Sequence, residues 1–186
     1  MKLILASKSP RRCELLRRCG FDFTVVTADT EELTTAADLR LLPEQNAWRK
    51  ARAVAATHPD ALVLGADTMI LFDGKAVGKP ADLSEAARFL QEFSGRTHEV
   101  VTGLALCFPD GTSDLWHEVS QVRFKELTAA VIAEYLRLVP VLDKAGAYAI
   151  QEHGDMIVAD YSGELENIIG LPLQRLQQKI TAAVKL

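Results

Sequence analysis

The sequence lacks any cysteine pattern that could build a disulfide framework or a metal clip. Its three cysteines, Cys13, Cys19 and Cys107, form no CxxC. An odd count without framework spacing predicts reduced thiols that act as small buried hydrophobes. Long apolar runs are missing as well. Nothing approaches the ~20 residues of a membrane span, and the apolar run at the N-terminus is too short for a signal peptide. A cytoplasmic protein without a membrane partner is therefore expected. Strong basicity is absent too: 21 Lys and Arg against 25 Asp and Glu leave a net charge of −4. Nucleic-acid coat proteins usually carry a basic face, so no nucleic-acid partner is expected. An anionic ligand would need a local basic pocket.

Familiar catalytic signatures are also lacking. "GKAVGKP" ends in Pro80 where a phosphate-binding loop needs Ser or Thr, and the sequence has no GxGxxG, which argues against a Rossmann dinucleotide site. "HEVVT" and "HEVSQ" lack the second histidine of a zincin, and no serine lies in GxSxG.

What remains is a chain of 186 residues, 48% apolar and 25% charged. These are globular values, and this length supports one domain or one two-lobed unit with its own core. Strands are expected over Lys2–Ala6, Phe21–Val26, Ala61–Gly65, Met69–Phe72, Val100–Phe108, Val119–Phe124, Ala147–Ile150 and Met156–Val158. Helices are expected over Pro10–Cys19, Pro43–Ala56, Asp82–Phe93, Thr128–Val139 and Leu173–Lys185, with a loop over Ala28–Leu39. Helices alternate with strands, but several strands follow one another directly. This predicts an α/β protein with a mixed sheet.

Polar residues at strand ends mark the candidate sites, because α/β proteins bind ligands there. The stretch "LASKSPRR" is the first. Residues 1–18 hold six of the basic residues and a single Glu. Ser9 is a good N-cap and Pro10 suits the first helical position. Free N–H groups at the helix start, with arginine beside them, make an anion site; the alternative is a solvated pair of arginines with Ser9 as a plain cap. Helical spacing lets either Arg11 or Arg12 face inward. Asp67, after a buried strand in "GADT", could bind a metal or activate a water, or serve only as a turn residue. Lys79, between Gly78 and Pro80, could contact a phosphate from rigid backbone. Lys50 lies along the apolar stripe of its helix and could snorkel or point into a cleft. Glu32 belongs to a pair that is commonly solvated, and Gln151 could read a polar base edge. Several cations, several carboxylates and no nucleophile together suit phosphoryl chemistry.

These residues resemble a known family. "LASKSPRRCELL", "RKA", "GADTMI", "GKP", "SGRTHEVVTG", "DKAGAYAIQ" and "NIIGLPL" are similar in order and spacing to the Maf family, across essentially the whole chain. The resemblance implies a single Maf-like domain over 1–186. Its fold would be α/β, with a mixed twisted sheet, flanking helices and two lobes around a cleft, like the inosine triphosphatases, and often dimeric. It implies hydrolysis of nucleoside triphosphates to monophosphate and pyrophosphate with a divalent cation, Mg²⁺ or Mn²⁺. "SPRR", "GADT" and "AYAIQ" resemble the branch acting on dTTP and UTP rather than the one acting on 7-methyl-GTP. By resemblance, Asp67 is the proton acceptor, Arg12, Thr68 and Gln151 set base specificity, Ser7, Arg12, Lys50 and Lys79 bind phosphate, and Glu32 and Asp67 hold the metal. Two positions depart from the family pattern: Glu152 and His153 follow Gln151 where glycine is usual, and Leu165 stands where tyrosine is frequent. The competing reading from another class is a nucleotide-binding regulator of cell division without catalysis.

Overall fold

The structure is a computed structural model and describes residues 2–184. Strand β1 (Lys2–Leu5) turns Leu3 and Leu5 into one apolar cluster and Ile4 into another. It is buried on both faces, which is why it reads as a continuous apolar run. Helix α1 (Pro10–Arg18) starts at the Ser9 cap, whose Oγ accepts from the Arg12 amide. It ends with Arg17 and Arg18 in its last turn, where the helix dipole favours cations. Strand β2 (Phe23–Val25) is shorter than expected and pairs in parallel with β1.

The loop that follows ends in a 3₁₀ turn at Leu39–Leu41 and leads into helix α2 (Leu42–Ala55). Ala47, Ala51 and Val54 of α2 join the cluster around Ile4 and Val63. The approach is close because position 65 has no side chain. A Cβ on Gly65 would lie 2.1 Å from the carbonyl oxygen of Ala47.

Strand β3 (Ala61–Phe72) corrects the sequence reading. It runs 12 residues without a break, so Asp67 and Thr68 lie inside a strand and not after one. No residue in "GADT" has a left-handed φ, so small size there serves close packing and not a turn. Asp73 and Gly74, both with positive φ, turn the chain into strand β4 (Lys75–Val77), antiparallel to β3. Helix α3 (Leu83–Phe93), capped by Asp82, precedes strand β5 (Thr97–Cys107), which begins earlier than expected. Strand β6 (Ser113–Phe124) is likewise longer, and helix α4 (Ala129–Leu138) is capped by Thr128.

Two further expectations fail. Ala147–Ile150 is no strand: Gly146 and Ala147 have φ of 65° and 59°, which puts a 3₁₀ turn at Ala145–Ala147. Met156 and Ile157 belong to the short helix α5 (Gly154–Ile157), and strand β7 (Val158–Ser162) starts only at Val158. Helix α6 (Leu165–Ile169) was not anticipated. Helix α7 (Gln174–Val184) closes the described chain, and Lys185, the expected helix end, lies outside the described residues.

The strand order is β2-β1-β3-β5-β6-β7, with β4 on β3. Parallel pairs (β1 with β2 and β3) and antiparallel pairs (β3 with β4, β6 with β7) make the sheet mixed, as expected. The chain forms two compact units. The first comprises Met1–Thr68, Thr102–Glu118 and Leu165–Leu186. It holds a cluster to which β1, α1, β3 and α7 contribute, with Leu5, Leu16, Leu64 and Ile180, and the separate α2 cluster. The second comprises Met69–Val101 and Val119–Glu164. Its core carries interlocking rings: Phe93 stacks on His98, and Phe72, Phe124 and Tyr148 meet them edge-on. All three cysteines are free thiols, with Cys13 and Cys107 buried. Among the described residues no helix is long and apolar enough to cross a membrane.

Candidate active site

In the first unit, β1, α1, β3 and α2 bring six of the expected residues into two adjoining networks. The Arg12 guanidinium organises the first. Its Nε donates to the Gly170 carbonyl at 2.9 Å, and its Nη1 to Ser7 Oγ at 3.1 Å and the Ala66 carbonyl at 3.0 Å. Its Nη2 donates to Thr68 Oγ1 at 2.9 Å. Four of the five N–H groups of an arginine are thereby used, and one on Nη2 has no partner among the described residues. The ambiguity between the two arginines is thus resolved for packing: Arg12 turns inward. Burial is the largest influence on its pKa and lowers it, Asp67 and Glu32 pull it back up, and Arg11 lowers it further.

Proton bookkeeping fixes the direction of this network. Thr102 Oγ1 donates to the Asn167 carbonyl at 3.0 Å, which uses its only proton. Thr68 must therefore donate to Thr102 across their 3.0 Å contact. The order runs Arg12 to Thr68 to Thr102 to the Asn167 carbonyl, each bond polarising the next. Ser7 Oγ accepts from Arg12 Nη1 and, at 3.3 Å, from the Ser9 amide. Both its lone pairs are taken, so its hydroxyl proton is free to donate. Gly170 closes the network with φ of 123°, and a Cβ there would lie 3.3 Å from Thr68 Oγ1. No other residue suits both constraints.

The second network centres on Lys50. Its Nζ lies 2.6 Å from Glu32 Oε1 and 2.7 Å from Asp67 Oδ1. The other oxygen of Asp67 accepts from Asn46 Nδ2 at 3.3 Å. Asn46 also ties down the loop: Leu33 N donates to its Oδ1 at 2.8 Å, and its Nδ2 donates to the Leu33 carbonyl at 3.1 Å. One asparagine thus places both the carboxylate of Asp67 and the segment carrying Glu32. The Asp67 and Lys50 side chains are mostly buried, whereas that of Glu32 is 58% exposed.

Lys79 and Gln151 belong to the second unit, and both are exposed. The Gly78 carbonyl, next to Lys79, accepts from the Gly146 amide at 2.9 Å. Gln151 sits in a turn, not at a strand end, and its Nε2 donates to Glu152 Oε1 at 3.4 Å.

Sequence reasoning missed Asn46, Thr102 and Gly170. Asn46 stands four residues before Lys50, on the same helix face. Thr102 is the lone hydroxyl inside the run "VVTGLALC", and a polar residue in a fully buried strand calls for a partner. Gly170 ends an apolar run where a helix exits. Each signal was present in the sequence, but none named its partner.

The fold has relatives of known structure. The Ham1 protein of Staphylococcus aureus superposes with a TM-score of 0.58 at 14% identity, covering 98% of this chain and 99% of its own. A HAM1 protein from Coxiella burnetii gives 0.57 at 16% identity, covering 98% and 100%. The chain therefore has an α/β fold of the Ham1 kind. The Maf-like protein family model matches residues 2–183, and the chain belongs to the Maf family. A dTTP/UTP pyrophosphatase of Akkermansia muciniphila is 46% identical over 177 residues, covering 92% of this chain and 91% of that one. One from Symbiobacterium thermophilum is 46% identical over 181 residues, covering 97% and 93%.

Proposed function

We propose that the protein hydrolyses dTTP and UTP, and modified pyrimidine triphosphates, to the monophosphate and pyrophosphate with the help of a divalent cation. The observation that carries this reading is Lys50 Nζ held between Glu32 and Asp67, beside the half-buried Arg12, in a chain of the Maf family. Relatives at 40–46% identity that bear the dTTP/UTP pyrophosphatase name support the substrate class.

The donor set suits Mg²⁺ or Mn²⁺. Two carboxylates converge on one cationic atom, and such ions take one or two carboxylates together with substrate phosphates and water. No cluster of three or more His, Cys, Asp or Glu exists among the described residues, so Glu32 and Asp67 would hold the ion jointly with the triphosphate. When bound, the ion would neutralise phosphate charge and acidify a water.

The chain's own residues do the rest. Ser7 donates its free hydroxyl proton to a phosphate oxygen, and Arg12 offers its remaining N–H and its charge. Lys50 and Lys79 add fixed positive charge, the latter on the strength of the resemblance. Asp67 takes a proton from the attacking water. The water oxygen bonds to the α-phosphorus, the bond from that phosphorus to the bridging oxygen breaks, and pyrophosphate leaves with the electron pair. Arg12, Thr68 and Gln151 select the base. A single Maf-like domain, working as a cytoplasmic homodimer, completes the proposal; light scattering on the purified protein checks the dimer.

Turnover in heavy-oxygen water tests the bond that breaks. Attack at the α-phosphorus puts the label in the monophosphate. Label in pyrophosphate, or release of single phosphate, contradicts the proposal.

A further inference from the structure

Gln151 follows a segment of the second unit that is tied down by several hydrogen bonds. Tyr135 OH accepts from the Ala149 amide at 3.0 Å and donates to the Ala149 carbonyl at 3.2 Å. Tyr148 OH pairs with His98 Nε2 at 2.8 Å, and the Gly146 amide holds the Gly78 carbonyl at 2.9 Å. Lys144 at the start of this segment is 4% exposed, although it carries a charge. Its Nζ donates to Asp143 Oδ1 at 2.9 Å and to the Pro140 carbonyl, and it lies 3.7 Å from Glu152 Oε1. A buried ammonium needs such partners. Glu152 is therefore held toward Lys144, and the same Oε1 accepts from Gln151 Nε2 at 3.4 Å.

The orientation of an amide is often ambiguous, but here chemistry decides it. An ionised carboxylate only accepts, so the NH₂ of Gln151 must face Glu152. With one N–H taken by Glu152, Oε1 is held on the opposite side of the amide as its acceptor, beside the second N–H. An acceptor set against ring N3 matches the N3–H of uracil or thymine and opposes the N3 lone pair of cytosine.

We propose that Glu152, held by the buried Lys144, is a positioning residue that fixes the Gln151 amide and so selects uracil and thymine over cytosine. The proposal rests on Gln151 reading the base, as set out above. Nothing in it needs Glu152 to touch the substrate.

The test compares kcat/KM for UTP and CTP in the wild type, in Glu152→Gln and in Glu152→Ala. Glutamine at 152 keeps size but presents oxygen or NH₂ equally well, so the amide of Gln151 loses its preferred orientation. The UTP-to-CTP ratio is expected to fall about tenfold in both variants, the effect of roughly one hydrogen bond. UTP turnover should stay within about threefold, since a single neutral hydrogen bond is worth little more. A ratio unchanged from wild type, or UTP and CTP falling by the same factor, overturns the proposal. A wild type that hydrolyses no pyrimidine triphosphate overturns the underlying function instead, and the positioning role of Glu152 with it.

Discussion

Lys50 Nζ stands 2.7 Å from Asp67 Oδ1, and the same nitrogen is 2.6 Å from Glu32 Oε1. One ammonium thus holds two carboxylates in place. Arg12 adds a second cation to the neighbourhood, and the attraction of Asp67 partly restores its pKa against burial. The four charges sum to zero, so they can coexist half-buried. A triphosphate brings several negative charges, which a divalent cation bound with it would offset.

Replacing Asp67 by Asn keeps the shape and the Asn46 hydrogen bond but removes the base. The variant should fold, with an unchanged circular dichroism spectrum. Its kcat for dTTP should fall by roughly two to four decades, the usual worth of general-base catalysis. Turnover at the wild-type rate would remove Asp67 from the proposed role.

Arg12→Lys keeps the charge but loses the planar fork, and lysine cannot reach Gly170, Ala66, Ser7 and Thr68 together. Stability should drop by roughly 2–4 kcal/mol, because buried acceptors are left unpaired. Urea unfolding reads that loss. Since Ser7 and Thr68 are then free to move, kcat/KM should also fall more than proportionally to any change in kcat.

Gly65→Ala tests the close approach of α2 to β3. The new methyl would lie 2.1 Å from the Ala47 carbonyl oxygen, which is backbone and cannot swing away. Overpacking of this kind costs roughly 1–3 kcal/mol. Moving α2 also carries Asn46 and Lys50 away from Asp67, so thermal stability and turnover should decline together.

His98 supplies a pH signature unrelated to catalysis. It is buried among Phe93, Phe124 and Tyr148, and burial lowers its pKa from 6.5 to about 3. The folded state therefore favours the neutral ring. That contribution to stability is complete above pH 6.5 and is lost as the pH falls toward 3, on the order of a few kcal/mol in all. In His98→Phe this part of the acid dependence should vanish from urea midpoints measured across that range. Because the Tyr148 hydroxyl then loses its partner, the variant should also be weaker at pH 7, by roughly 1–3 kcal/mol.

Much of this arrangement was legible in the sequence. The Ser9 cap, Pro10 and the apolar run of β1 located α1 and its N-terminus. In "LASKSPRR" helical spacing could not rank Arg11 against Arg12. The structure draws Arg12 inward, while Arg17 and Arg18, beyond that stretch, sit at the other end of the same helix, where the dipole favours cations and where Arg17 lies over the Phe23 ring and Arg18 lies 3.6 Å from Glu166. Long-range partners were not legible. Thr102 and Gly170 meet Arg12 and Thr68 only because β5 and α6 fold back from far along the chain. The strand read through "AYAIQ" failed for a local reason: alternating apolar residues there bury into a turn set by left-handed Gly146 and Ala147, an unusual conformation for alanine. Likewise, small residues in "GADT" suggested a break in β3, but what they allow is the approach of α2.

The most direct test of the central claim is pyrophosphate release from a panel of dTTP, UTP, CTP, dATP, GTP and 7-methyl-GTP, with Mg²⁺ or Mn²⁺ and with EDTA. Release from dTTP and UTP above the others, abolished by EDTA, is the result expected. Preference for 7-methyl-GTP would contradict the substrate assignment, and no release from any triphosphate would contradict catalysis itself and favour a nucleotide-binding regulator.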